Sequence, residues 1–210
     1  MKIFSIRRGF QADHSSTSYE FLAVDKPLDA AARKAVTRLS SRAHPTKRSV
    51  SFIYHGDFSD LPGGWEPLVR KYYDVMYTES YDWWTLAIAF NAGKEAVKEI
   101  EKYAFVGCED SGLNVETHKE RVVIAIHCRI GANICDLEDP CKYDDEDESN
   151  NELLNLLVKN RMYLKKGDYR LLYGVWKTYG VDSETAVPEP SGMKKLPKPI
   201  NALLSLFETM

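Results

Sequence analysis

Apolar positions along this chain follow two periods, and the alternation between them outlines a fold. Residues 18–27, "SYEFLAVDKP", are rich in aromatic and branched side chains and predict a strand that Pro27 stops. Asp29 then stands where an N-cap would. Leu28, Ala32, Ala35, Val36 and Leu39 recur at helical spacing up to a break at Arg42 and His44-Pro45. "SVSFIY" (49–54) returns to period two, with Val50, Phe52 and Tyr54 on one face. Trp65, Leu68, Val69, Tyr72, Tyr73 and Met76 step by three and one, which predicts a second helix with a wide apolar stripe.

The same alternation continues. "WTLAIAF" (84–90) reads as a strand with Leu86, Ile88 and Phe90 on one side and two alanines on the other. A short amphipathic piece at 94–104 turns Val97, Ile100 and Ala104 inward. "LNVETHKERVVIAIHC" (113–128) predicts a hairpin turning at His118–Glu120. After an acidic stretch at 138–148, two helices follow. One carries Leu153, Leu156, Leu157 and Leu164. The other carries Leu172, Val175, Trp176 and Tyr179 between an N-cap at Asp168 and a stop at Gly180.

The order of elements predicts an α/β or α+β protein: one mixed sheet of about five strands covered by helices, with a helical C-terminal part. The first three strands fit parallel right-handed crossovers and fit an alternating, ferredoxin-like order equally well. One domain is expected over residues 1–180. Four of the nine prolines fall in 181–199, which reads as a linker or strap. "INALLSLFETM" (200–210) reads as a short docking helix.

A chain of 210 residues can bury a core of its own without disulfide or metal staples. Its apolar and charged fractions, 44% and 28%, exclude the disordered and fibrous classes. No apolar run approaches the ~20 residues that span a bilayer, so no membrane partner is expected. The start, "MKIFSIRRGFQADHSS", has its cations in the wrong order for a secretory signal, and a cytoplasmic location is expected. Cys108, Cys128, Cys135 and Cys141 are irregularly spaced with no Cys-x-x-Cys, which predicts free thiols and no bound metal or other cofactor.

Charge changes the picture more. Residues 1–56 hold ten Lys/Arg against four acids, while the whole chain is at −3. Within the basic part, "ARKAVTRLSSRAHPTKRSV" (32–50) has six cations and no acid. Lys34, Arg38 and Arg42 fall at i, i+4 and i+8 on the helix side opposite the apolar stripe, flanked by Arg33, with Lys47 and Arg48 continuing the row. Such a row can neutralise phosphates without reading sequence, so an anionic partner is expected, nucleic acid or an acidic protein. The same row also reads as the wet side of a helix, or as a partner for the acids of 138–148.

Two further places carry candidate chemistry. Tyr81, Trp83 and Trp84 lie at the mouth of a strand, where aromatics stack on bases, fill a ligand pocket or close a core edge. His55 and Asp57 follow a strand, where α/β proteins place functional loops, and they are the catalytic candidates of an enzyme reading. His14, with the hydroxyls of 15–17, is a lesser one. No P-loop, Gly-x-Gly-x-x-Gly or Gly-x-Ser-x-Gly is present. "DDEDESNNELLN" lacks the glycine an EF-hand loop requires.

The segments "SYEFLAVDKPL", "LSSRA", "VSFIYHGDF", "GGWEPLVRKYYDVMY" and "GDYRLLYGVW" together resemble a family of uncharacterised prokaryotic proteins, over most of residues 1–180. That resemblance implies a shared fold and assigns no activity, substrate or cofactor. The function expected from the residues is therefore a non-enzymatic cytoplasmic interaction protein. Its binding surface would be the basic helix face, the aromatic edge, or the C-terminal helix inserting Leu203, Leu204, Leu206 and Phe207 into a groove. Nucleic-acid binding through 33–48 is the first alternative, and an enzyme with a site near His55 and Asp57 the second.

Overall fold

The computed structural model describes residues 16–40, 43–55, 61–80, 83–108, 110–130, 152–183 and 185–207. Seven strands form one sheet: β1 (Ser16–Leu22), β2 (Ser49–His55), β3 (Val75–Ser80), β4 (Trp83–Asn91), β5 (Phe105–Val106), β6 (Gly112–His118) and β7 (Arg121–Cys128). Their order is β2-β1-β3-β4-β7-β6-β5, and every neighbouring pair is antiparallel. The helices are α1 (Ala30–Thr37), α2 (Glu66–Lys71), α3 (Lys94–Glu101), α4 (Glu152–Leu164), α5 (Arg170–Tyr179) and α6 (Lys198–Leu204).

Each face of the sheet carries its own core. On one face Val36, Leu68 and Val69 of α1 and α2 pack with Phe21, Phe52, Tyr73 and Met76. On the other, Leu157, Val175 and Leu203 of α4, α5 and α6 pack with Leu86, Ile88, Ile124 and Ile126. The near-continuous apolar run of β4 follows directly, because both of its faces are covered. Leu86, Ile88 and Phe90 join the second core, and the small Ala87 and Ala89 join the first, under α2. α5 and α6 approach closely at Gly174, where a Cβ would lie 2.4 Å from a Leu204 methyl.

Three expectations are corrected. The sheet has seven strands rather than about five, the additions being β3 and the two-residue β5. It is antiparallel throughout and not mixed, because the chain leaves β1 and returns to β2 at the same end of the sheet. The predicted helix from Trp65 to Met76 stops at Lys71, and its last two residues, Val75 and Met76, open β3. Val75, Met76, Tyr77 and Thr78 are all buried, and a strand covered on both faces loses the alternation that would separate it from a helix. β1 ends at Leu22, before Pro27, and α1 ends at Thr37 with Arg38 as its C-cap, short of the break expected at Arg42. Elsewhere the pattern holds, with Asp29 capping α1 through the Ala32 N–H at 2.7 Å and the hairpin turning between His118 and Arg121. Asp168 lies one residue outside the α5 cap and accepts from the Arg170 N–H at 3.2 Å.

The C-terminal segment lies on the body. The Trp176 indole donates to the Thr185 carbonyl at 3.1 Å, and Arg170 donates to the Lys195 carbonyl at 3.0 Å. Ile200 and Leu203 of α6 are fully buried, and Phe207 pairs with Ile130 at the end of β7.

Where β3 begins, four charges meet. Asp74 is buried and accepts from the Val24 and Asp25 N–H groups at 2.7 and 2.9 Å, and from Arg121 at 2.9 Å. Arg161 of α4, only 2% exposed, forks onto Asp25 at 3.0 and 2.5 Å, donates to the Ala89 carbonyl at 2.7 Å, and lies 3.5 Å from Asp74. Arg121 also donates to the carbonyls of Val69 and Tyr73 behind α2. Two acids and two guanidiniums form the centre of the set, Lys165 reaches Asp25 from the solvent side at 3.6 Å, and the bonds bind both helical layers to the sheet. Arg161→Ala leaves the Ala89 carbonyl without its side-chain donor and removes the fork on Asp25, while Asp74 keeps Arg121 and two backbone N–H groups. It is expected to cost about 1–3 kcal/mol in urea unfolding. The Arg161 guanidinium holds the Asp25 carboxyl below its usual range. Its contribution is therefore present above the unfolded pKa of about 3.9 and is lost as pH falls through the lower folded value. Asp25→Asn should flatten that acid limb.

Candidate functional site

α1 presents the basic row outward. Lys34 and Arg38 are exposed on the side away from Val36, and neither has a carboxylate partner among the described residues. Lys47 is exposed as well, while Arg33 is half-buried. Arg48 has a different task. Its guanidinium donates to the carbonyls of Ala23 and Val24 at 3.0 and 2.9 Å, which closes the end of β1. Arg42 lies outside the described residues, as does the acidic segment 138–148.

The aromatic edge divides between the two faces of the sheet, because adjacent strand residues point oppositely. Trp84 is buried against Tyr77, with ring centroids 5.6 Å apart, and so belongs to the core. Trp83 is half-buried on the other face, and the Arg129 guanidinium sits 5.1 Å from its ring centroid. Tyr81 lies outside the described residues. The C-terminal helix is likewise turned inward: Leu203, Leu206 and Phe207 are buried in the protein's own core and Leu204 is half-buried, so among the described residues the apolar side of this segment is largely taken up by the body.

Of the catalytic candidates, His55 ends β2 with its backbone opposite Ser16, and Asp57 and His14 lie outside the described residues. A depression of about 480 Å³ is lined by Glu189, Pro190, Ser191, Gly192, Met193 and Lys194 on the C-terminal strap, and no predicted site residue lines it. Among the described residues no three His, Cys, Asp or Glu side chains are grouped to hold a metal ion. Cys128 is buried, which pushes its thiol far above the ordinary range, and Cys108 is an exposed free thiol.

The structure adds one titratable group that the pattern did not single out. Glu20, in the middle of β1, points to the face that α4 covers and is only 8% exposed. It faces Ser51 on β2 and Tyr77 on β3, and the Ser51 hydroxyl donates to its Oε2 at 2.6 Å. Burial pushes its carboxyl up to about 7, against the smaller lowering effect of the Ser51 bond. The only sign in the sequence is a lone acid between Tyr19 and Phe21 in an otherwise apolar run. On the opposite face, His127 Nδ1 lies 3.0 Å from the Thr85 hydroxyl, and burial holds the imidazole below its ordinary range.

No family model matches the chain, and no curated protein matches it in sequence. Among solved structures it is similar to the ligand-free regulatory subunit of aspartate kinase from Thermus thermophilus. That match has 13% identity and a TM-score of 0.22, over 54% of this chain and 83% of that one. A likeness at that level carries no argument.

Glu20 makes a sign-definite prediction. Its folded pKa lies above its unfolded one, so the native state holds the proton more tightly between about pH 4.5 and 7, and stability falls as pH rises through that window. Glu20→Gln should remove that slope and raise stability at pH 8 relative to the parent by up to about 3 kcal/mol. Parallel pH profiles for the two proteins in urea unfolding would contradict it.

Proposed function

We propose that this chain is a non-enzymatic interaction protein of the cytoplasm whose α1 face meets an anionic macromolecule. The observation that carries the reading is the exposed pair Lys34 and Arg38, one helical turn apart with no carboxylate partner among the described residues, and with Lys47 beyond them. Like charges at this spacing cost the helix a little, and the fold gains nothing visible from them. The other two surfaces the sequence offered are largely occupied internally: Trp84 and the C-terminal leucines pack in the core, and Trp83 stacks on Arg129.

Contacts of this kind reach phosphates or carboxylates through charge and carry little sequence preference. Duplex nucleic acid is the simplest such polymer, with an acidic protein surface as the alternative partner. Binding to duplex DNA should weaken steeply with salt. Lys34→Glu with Arg38→Glu should lower affinity at least about ten-fold and reduce the slope of log K against log salt by about two. Fluorescence anisotropy checks both. Retained affinity with an unaltered slope in the double variant, or no binding at low salt to either DNA or a polyglutamate probe, would remove the reading.

A further inference from the structure

Among the described residues β2 forms one edge of the sheet, and its outer side can be read rung by rung. The Ala23 N–H donates to the Arg48 carbonyl at 2.7 Å, in line with the register that sets Leu22 opposite Ser49. Backbone polar groups alternate sides along a strand. Val50, Phe52 and Tyr54 therefore turn their N–H and C=O groups toward β1, while Ser49, Ser51 and Ile53 turn theirs away from the sheet. Ser49 is closed off by Thr46, whose N–H and Oγ1 meet the Ser49 carbonyl and N–H at 2.8 Å each. Ser51 and Ile53 have no such cover: no backbone bond from their outer groups is made to any described residue.

Edges of this kind are ordinarily protected by short length, a bulge, a proline or a lysine. The opposite edge, β5, is two residues long. β2 is seven residues long, reads Ser-Val-Ser-Phe-Ile-Tyr-His, and contains no lysine, acid or proline and no left-handed residue. The cations next to it stop at Arg48, before the strand begins.

We propose that β2 pairs antiparallel with β2 of a second copy of this chain, joining two sheets into one across a twofold axis. An open rung at every second residue accepts only an extended strand, which sets the form of the occupant. Self-pairing about Phe52 places Ser51 opposite Ile53 of the second copy and Ile53 opposite its Ser51, so the outer N–H and C=O groups of both residues are satisfied in each copy. No like charges face each other, because the strand is uncharged. A whole-chain charge of only −3 opposes association weakly. The half-buried Ile53 and Tyr54, which flank the edge, lose their remaining exposure to the second copy.

An axis normal to the sheet keeps equivalent faces on the same side, so the two α1 helices and their cations fall on one surface. The pairing itself uses none of those cations and stands or falls independently of anion binding.

Sedimentation velocity on the full chain, from about 1 to about 100 μM, should show a species of twice the 24.0 kDa chain mass. Ile53→Pro removes one outward N–H at an edge position without touching the Ser51 bond to Glu20, and Ile53→Lys adds the missing edge charge. Each should raise the dimer dissociation constant about ten-fold or more with circular dichroism unchanged. In the parent protein, hydrogen exchange at the Ser51 and Ile53 amides should slow as concentration rises, a readout independent of whether either variant folds. A monomer at every concentration, a dimer indifferent to both substitutions, or exchange at those two amides that ignores concentration would each overturn the proposal.

Discussion

Asp74 is the residue on which the arrangement of this protein turns. A carboxylate removed from water must have its lone pairs filled, and here they are filled from every direction at once. Two backbone N–H groups come from the connection after β1, one guanidinium from β7 and another from α4. The donors come from three parts of the chain, so satisfying one buried charge fixes those three and β3 itself relative to each other. Hydrophobic packing alone would let α4 slide along the sheet at modest cost. Arg161, bound to the Ala89 carbonyl and to Asp25, does not allow it.

Charge elsewhere in the protein divides according to what surrounds it. Arg48, Arg121 and Arg161 have guanidiniums engaged by backbone carbonyls, and each closes a place where a strand or helix end would otherwise leave acceptors open. Lys34 and Arg38 have no such side-chain bond among the described residues. Arg48 and Arg38 sit in the same basic stretch and look alike by composition, yet one seals the fold and the other faces solvent. The cluster seen in the sequence is therefore two populations of cations, and only the outward one bears on a partner.

Glu20 and Asp74 show how burial sorts acids. Asp74 is neutralised by two arginines and serves the fold. Glu20 has only a serine hydroxyl for help, and burial outweighs it, which places its titration near neutrality. The same strand pair that carries Glu20 and Ser51 also presents the open edge of β2. Ser51 consequently serves two elements, its side chain turned to Glu20 and its backbone turned outward.

Much of the secondary structure was legible because single-face burial leaves a period. The β1 and β2 strands, the Asp29 cap, the alternation of large residues and alanines in β4, the 113–128 hairpin and the leucine spacing of α4 all carry that imprint. Where burial is two-sided the period vanishes, and the start of β3 was drawn into the preceding helix for that reason. Periodicity also says nothing about which way a chain returns after a helix, so strand direction and order came only from the fold. The candidate site divides in the same way: the outward cations of α1 follow from helical spacing, whereas the burial of Glu20, the internal use of Arg48 and the unpaired rungs of β2 are properties of neighbours. Local sequence determines what a residue could do, and the segments brought beside it decide which of those things remains open to it.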